Sequence, residues 1–514
     1  MHQLRVIVLG VFSLVMVIGC AVNPVTGERE IALISDERAI AIGQQQYAPA
    51  QQMQGGAYNT DSELSAYVSR IGDSLAAYSN TRLPYEFVVL NHSVPNAWAL
   101  PGGKIAINRG LLVELENEAE LAAVLGHEIV HAAARHGAQR MERGILTQGL
   151  LLGTAIAVGG QEYGAYAVQG AQLAAGLVGQ KYSRDAEREA DFYGTRFMAQ
   201  AGYDPVGAVT LQETFVRLSK QSSGKGGFLD QLFASHPASQ ERVNNNKRLV
   251  QNLRKEGFKD GVLNQQQFDQ AVAGLRSKQD AFQAHDEAQA LYAKKDYDGA
   301  LSKVNQALAM ANDEAIFHAT RGTIRYQQKR LDDAVINFDR AIARDGSYFA
   351  FHLQRGLVHK AQKDSQAAKR DLAQSVRLLP TGIAYNALGE IAEQEGDAET
   401  AQKYYAQAGG DPGAAGTAAR ASLVRLELPK QPAKYIHTAA GLDANGKLAV
   451  QVQNRTDLVI KNIVLRVEVL QFGQVTSEQL RINELAPKVT RRMSLPDKFR
   501  QAERINVYPL SADL

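Results

Sequence analysis

The sequence predicts an α+β chain in three parts: a mainly helical domain with a small β-sheet, an α-solenoid, and a small C-terminal β-sandwich. Three observations carry this. Asn117 to Met141 is an apolar helical run containing Gly126-His127-Glu128-Ile129-Val130-His131. Small residues recur between 281 and 410: Ala300, Ala334, Ala368 and Ala401 lie 34, 34 and 33 residues apart. Beyond Lys447 the stretches 447–453, 459–471, 475–482 and 504–510 alternate as strands do.

Composition narrows the function classes. With 514 residues the chain holds several domains, and an apolar fraction of 45% is that of a globular protein. A net charge of +2 with no basic block gives no case for a nucleic-acid partner. Cys20 is the only cysteine, so no intrachain disulfide forms. Its setting explains it. One positive charge in Met1–Arg5 precedes the apolar run Val6–Ile18, which has the length of a signal-peptide core and is short for a membrane span. Val17-Ile18-Gly19-Cys20 resembles a bacterial lipoprotein signal. That resemblance implies removal of residues 1–20 up to a lipidated Cys20, and Ala21 after it favours the outer membrane. A plain secretory signal is the alternative, and both imply export.

Residues 21–35 read as a tether. Residues 36–80 carry helical patterning, with an apolar face through Leu64, Val68, Ile71 and Leu75. Residues 85–91 and 104–107 read as strands. Between them stands Asn96-Ala97-Trp98-Ala99-Leu100-Pro101-Gly102-Gly103. A strand here can take a peptide substrate by strand addition, which makes Asn96, Ala97 and Trp98 candidate substrate contacts. An ordinary hairpin with Trp98 in the core fits the pattern equally.

The chemistry centres on the H-E-x-x-H stretch. His127 and His131 lie one helical turn apart on one face, a spacing that lets two imidazoles share one Zn²⁺. Glu128 points about 100° away and can serve as general base. A third ligand is required. Downstream, Glu187 and Asp191 are again one turn apart within Ser183-Arg184-Asp185-Ala186-Glu187-Arg188-Glu189-Ala190-Asp191. Glu187 can ligate while Asp191 holds a ligand imidazole from behind. The competing reading is an exposed charged face, and Arg188 and Glu189 are assigned to it.

The segments VPNAWALPGGKIAINRGLL, ELAAVLGHEIVHAAARHG and SRDAEREAD, in that order, resemble the zinc metallopeptidases of the CAAX-prenyl-endopeptidase and HtpX-like family, closest to its soluble periplasmic branch. The resemblance covers roughly residues 35–250. It implies a zincin-type (gluzincin) domain over 36–270, with one Zn²⁺ per chain on His127, His131 and Glu187, Glu128 as base and Asp191 behind the ligands. His136 matches a further family histidine. It lies off the ligand face and is read as structural.

Residues 144–180 are rich in Gly, Ala and Leu, which suits close-packed helices or a lid better than a membrane span. Ser235-His236-Pro237 leaves two roles open. His236 can donate to the developing oxyanion, or it can fill the open metal position, with Ser222–Gly227 as hinge. The period over 281–410 resembles about four tetratricopeptide repeats, which implies a protein-recruiting surface. Residues 411–433 read as a linker and 434–514 as a β-sandwich without catalytic signature.

These readings add up to an exported, lipid-anchored zinc endopeptidase on the periplasmic face of the outer membrane. Its expected partners are polypeptide substrates and, through the repeats, outer-membrane assembly machinery. The rival is a chaperone acting through the repeats.

Overall fold

The computed structural model describes residues 19–152, 181–222, 236–442, 447–500 and 502–514. The leader before Gly19, residues 153–180 of the Gly/Ala/Leu-rich stretch, and 223–235, with most of the expected hinge, lie outside them. The described chain forms two compact units, one ending at Leu379 and one starting at Pro380. No helix among the described residues is long and apolar enough to cross a membrane.

The first unit opens with an antiparallel hairpin, β1 (Gly19–Val22) on β2 (Arg29–Ala32). The stretch expected to be a tether is therefore paired and docked. Glu142 accepts from the backbone N–H groups of Leu33 and Ile34, and Glu30 accepts from Gln139. Two helices follow, α1 (Asp36–Met53) and α2 (Ser62–Ala76), capped by Ser35 and Asp61. On α2, Leu64, Val68, Ile71 and Leu75 form the buried stripe that the pattern predicts.

Three strands make the small sheet: β3 (Glu86–Leu90), β4 (Ala97–Leu100) and β5 (Lys104–Asn108). β5 is central, parallel to β3 and antiparallel to β4, so β4 is an edge. A short helix, α3 (Arg109–Leu112), leads into α4 (Glu118–Ala133), the H-E-x-x-H helix. Every residue of α4 is buried, and Asn117 caps it by accepting from Glu120 N–H. α5 (His136–Leu152), α6 (Arg184–Gln200), α7 (Val206–Ser222), α8 (Gln240–Lys255) and α9 (Gln265–Ser277) complete this region.

The repeats begin as helix pairs α10 (Gln279–Ala293) with α11 (Tyr297–Met310), α12 (Ala315–Gln327) with α13 (Leu331–Arg344), and α14 (Phe349–Ala361) with α15 (Ser365–Leu378). The recurring small residues do what their spacing predicts. Ala300, Ala334 and Ala368 are fully buried. A Cβ on Gly322 would meet the Phe338 ring at 3.0 Å, and one on Gly356 would meet Leu372 at 2.9 Å. The turn inside each pair holds a left-handed lysine: Lys295, Lys329 and Lys363. One hydrophobic core runs from the sheet and α4 into the first two pairs, taking in Phe282, Ala300 and Phe317.

The second unit starts with α16 (Gly382–Gln394) and α17 (Ala398–Ala408), where Gly389 lies against Tyr405 as in the other pairs. α18 (Ala414–Glu427) occupies much of the stretch expected as a linker. Next come two three-stranded antiparallel sheets. One holds β6 (Ile436–Leu442), β7 (Leu448–Asn454) and β10 (Thr490–Ser494). The other holds β8 (Ile460–Gln471), β9 (Gln474–Leu485) and β11 (Arg504–Asp513). They share one core of Val450, Val452, Ile463, Leu465, Val467 and Ile482, the expected sandwich.

Candidate metal centre

Two helices cross to make the site. At the crossing of α4 and α6, Gly126 faces Gly194. A Cβ on Gly194 would lie 2.8 Å from Gly126 C and His127 N. Two glycines let the backbones approach, and His127 and His131 come to face Glu187 and Asp191.

The donor atoms of His127, His131, Glu187 and His236 all lie within 4.8 Å of one another, and all four residues are buried. His127 Nε2 is 3.0 Å from His131 Nε2 and 3.3 Å from His236 Nδ1. His131 Nε2 is 3.4 Å from Glu187 Oε1, and His236 Nδ1 is 3.0 Å from the same oxygen. Donors held tetrahedrally at zinc bond lengths of about 2.0–2.1 Å stand roughly 3.3–3.4 Å apart. The four separations of 3.0–3.4 Å are near that size, and the widest in the cluster is within 4.8 Å. Its donor types, three imidazoles and one carboxylate, also suit zinc, so the residues fit the ion.

Partners behind the donors orient them. His127 Nδ1 lies 3.0 Å from Asp191 Oδ1, which turns its Nε2 lone pair inward. Arg242 grips Asp191 with two hydrogen bonds, 2.8 Å from Nε and 2.7 Å from Nη2, and its Nη1 lies 3.2 Å from Glu187. His131 Nδ1 lies 2.8 Å from His136 Nδ1, and His136 Nε2 lies 3.4 Å from Glu189. His136 thus stands behind a donor imidazole and, with Glu189, forms a second relay. Glu189 belongs to that relay and not to the exposed face assigned to it. Arg188 does lie on the surface, paired with Asp185 and Glu241.

Charge follows from burial and neighbours. Burial pushes the Glu187 carboxyl up, but His236, His131 and His127 outweigh it and hold it well below the usual range. Burial likewise raises Asp191, and Arg242 more than reverses this. Burial keeps His131 neutral, well below the ordinary histidine value. It also raises Glu128 despite His236 and His127 nearby. Glu128 Oε1 is 3.6 Å from His236 Nε2, and its Oε2 has no hydrogen-bond partner among the described residues. A carboxylate with raised proton affinity and a free oxygen beside the donors is suited to take a proton.

The 96–98 stretch divides. Asn108 N–H donates to Asn96 O at 2.8 Å, so Asn96, Trp98 and Leu100 pair with β5. Ala97 and Ala99 therefore turn their N–H and C=O groups to the free edge. Ala97 lines the cavity beside His127 and Glu128. Trp98 points to the opposite face, edge-on to Tyr47 at 6.2 Å, and its Nε1–H donates to Gln54. It fills the core and is remote from the donor cluster. Asn96 is buried with its side-chain oxygen unpartnered among the described residues. Sequence reasoning missed Tyr182. Its ring stacks on His131 at 3.9 Å and its hydroxyl donates to Ala99 O at 3.4 Å, so it lies on the free edge of β4. Cys20 sits in β1, paired with Ile31.

Crossed helices carrying two imidazoles and a carboxylate, with a second carboxylate poised beside them and an edge strand alongside, define a metallopeptidase-type centre. Residues 62–250 match peptidase family M48. The chain is 31% identical over 194 residues to the putative β-barrel assembly-enhancing protease of Vibrio cholerae, covering 36% of this chain and 39% of that protein. It is 34% identical over 180 residues to the mitochondrial metalloendopeptidase OMA1 of Schizosaccharomyces pombe, covering 34% and 50%. The Escherichia coli β-barrel assembly-enhancing protease is 27% identical over 191 residues, covering 36% and 38%. The matches thus span no more than half the length of these relatives. Among solved structures, YrrB, a TPR protein with an unusual peptide-binding site, is similar over 30% of this chain and 81% of its own, at 19% identity and a TM-score of 0.25.

Proposed function

We propose that the chain is a zinc-dependent endopeptidase of the bacterial envelope, acting on misfolded or stalled periplasmic and outer-membrane proteins. The buried donor cluster beside the unpartnered Glu128 oxygen carries this reading. His127, His131 and Glu187 would hold one zinc ion. When bound, the ion supplies Lewis-acid activation of water and of the scissile carbonyl. Glu128 takes the proton of the attacking water and delivers it to the leaving amine. Asp191 with Arg242, and His136 with Glu189, keep the two imidazoles in register. The substrate backbone pairs with Ala97 and Ala99 at the free edge of β4, a mode that reads little side chain.

A lipidated Cys20 would hold the protein at the periplasmic face of the outer membrane. The repeats would recruit substrates or assembly machinery, which the names of the bacterial relatives support. The test is Glu128→Gln, which should keep zinc and lose casein cleavage. Retained turnover sinks the assignment.

A second reading has its own observations. His236 supplies a fourth donor, and Tyr182 lies over the substrate edge. Both support a resting form that is closed, with the repeats acting as a chaperone. His236→Ala should then raise cleavage several-fold. A fall would instead make His236 an oxyanion donor.

A further inference from the structure

The helices of the donor cluster, with α7 and β4, also line a partly open cavity. Ala97 of β4, Val124 of α4, and Leu211 and Phe215 of α7 give it apolar walls, with His127 and Glu128 at its side. Two residues that line it carry a buried acceptor with no partner among the described residues: Glu128 Oε2 and Gln212 Oε1. Glu128 is used by the proposed chemistry. Gln212 is not, although it is 2% exposed. An orphaned buried acceptor destabilises the fold, and a leucine of similar size would avoid that. The polar neighbours do not answer it. Asn246 Nδ2 donates to Ala208 O at 3.0 Å, and Thr195 Oγ1 to Asp191 O at 2.7 Å. A donor that arrives with the substrate would offset the cost.

We propose that Gln212 is a specificity-determining residue. Its Oε1 accepts a hydrogen bond from the hydroxyl of a substrate serine or threonine next to the scissile bond, seated in this cavity. The inference rests on the peptidase reading above. The chemistry of the walls points the same way. They are largely apolar around Gln212, so a small uncharged donor such as a hydroxyl suits the site, and threonine adds one methyl against Leu211 and Phe215.

The test uses the full-length zinc-loaded protein, in both the natural and the His236→Ala backgrounds, with and without Gln212→Leu. A mixed peptide library is digested and its cleavage sites are read by mass spectrometry. Without Gln212→Leu, serine and threonine should be enriched at one of the two positions flanking the cut. Gln212→Leu should reduce that enrichment about five-fold relative to alanine and valine, with more distant positions unchanged. It should also raise the thermal midpoint by about 2–4 °C, because the orphaned acceptor is gone. A lower midpoint means that the amide has a structural partner and overturns the proposal. A higher midpoint with an unchanged profile overturns the subsite alone. Absence of cleavage in both backgrounds overturns the peptidase reading, and the subsite with it.

Discussion

Replacing Gly194 by alanine places a methyl carbon 2.8 Å from two backbone atoms of α4, Gly126 C and His127 N. Ordinary contact begins near 3.4 Å, so the helices must part by about 0.6 Å (3.4 minus 2.8). Backbone lies on both sides, and no side chain can swing away. Alanine is worth about 1 kcal/mol more than glycine inside a helix. Overpacking costs about 1–3 kcal/mol and here outweighs that gain. The net loss is about 1 kcal/mol, a fall of roughly 2–4 °C in thermal midpoint for a domain of this size. The larger effect falls on the metal. α4 carries His127 and His131, α6 carries Glu187 and Asp191, and the 3.4 Å gap from His131 to Glu187 widens directly. Disturbed support of metal ligands typically costs 10–100-fold in affinity. Zinc affinity by chelator competition, read beside the melting curve, tests this. Gly144→Ala is the control, because a Cβ there meets nothing within 4 Å. Wild-type zinc affinity and midpoint in Gly194→Ala would show that the glycine contact does not position the donors.

Two further predictions concern parts remote from the metal. Asp371 accepts from Arg355 Nε and Nη2, each at 2.7 Å. Burial raises its carboxyl, but Arg355 and His352 outweigh this and the folded value falls below the ordinary one. Its contribution is therefore present above about pH 4 and lost as pH falls through the depressed folded value. Asp371→Asn should cost about 1–2 kcal/mol in urea unfolding at pH 7 and much less at pH 3; an equal loss at both would contradict this. Phe472 is 75% exposed at the β8–β9 turn with φ 51°, a backbone region that favours asparagine and glycine. Phe472→Asn should stabilise the C-terminal unit by about 0.5–1 kcal/mol, seen as a later unfolding transition. An earlier transition would show that the ring is held by contacts.

The readable parts of the chain were those where one local period decides. Helical spacing placed His127, His131 and Glu128, and a second helical turn placed Glu187 and Asp191. The 34-residue period located the close contacts of Gly322 on Phe338 and Gly356 on Leu372. What escaped depended on distant partners or on polar edges. The helix break at Arg135, φ 59°, brings His136 back beside His131, and no local pattern announces it. Tyr182 became part of the site only through folding. Strands β6 and β10, IHTAAGL and TRRMS, lie at sheet edges and lack a clear alternation. Trp98 was in principle legible: period two puts it opposite Ala97, so both could not face the cleft.

A metal held by His127, His131 and Glu187 would have Glu128 beside it as the base. The most direct test measures zinc content and casein cleavage together, comparing the mature protein with Glu128→Gln in the natural and His236→Ala backgrounds. One zinc per chain is expected throughout, with cleavage only where Glu128 is present. Cleavage by a Glu128→Gln protein, or no zinc in any of the four, would contradict it.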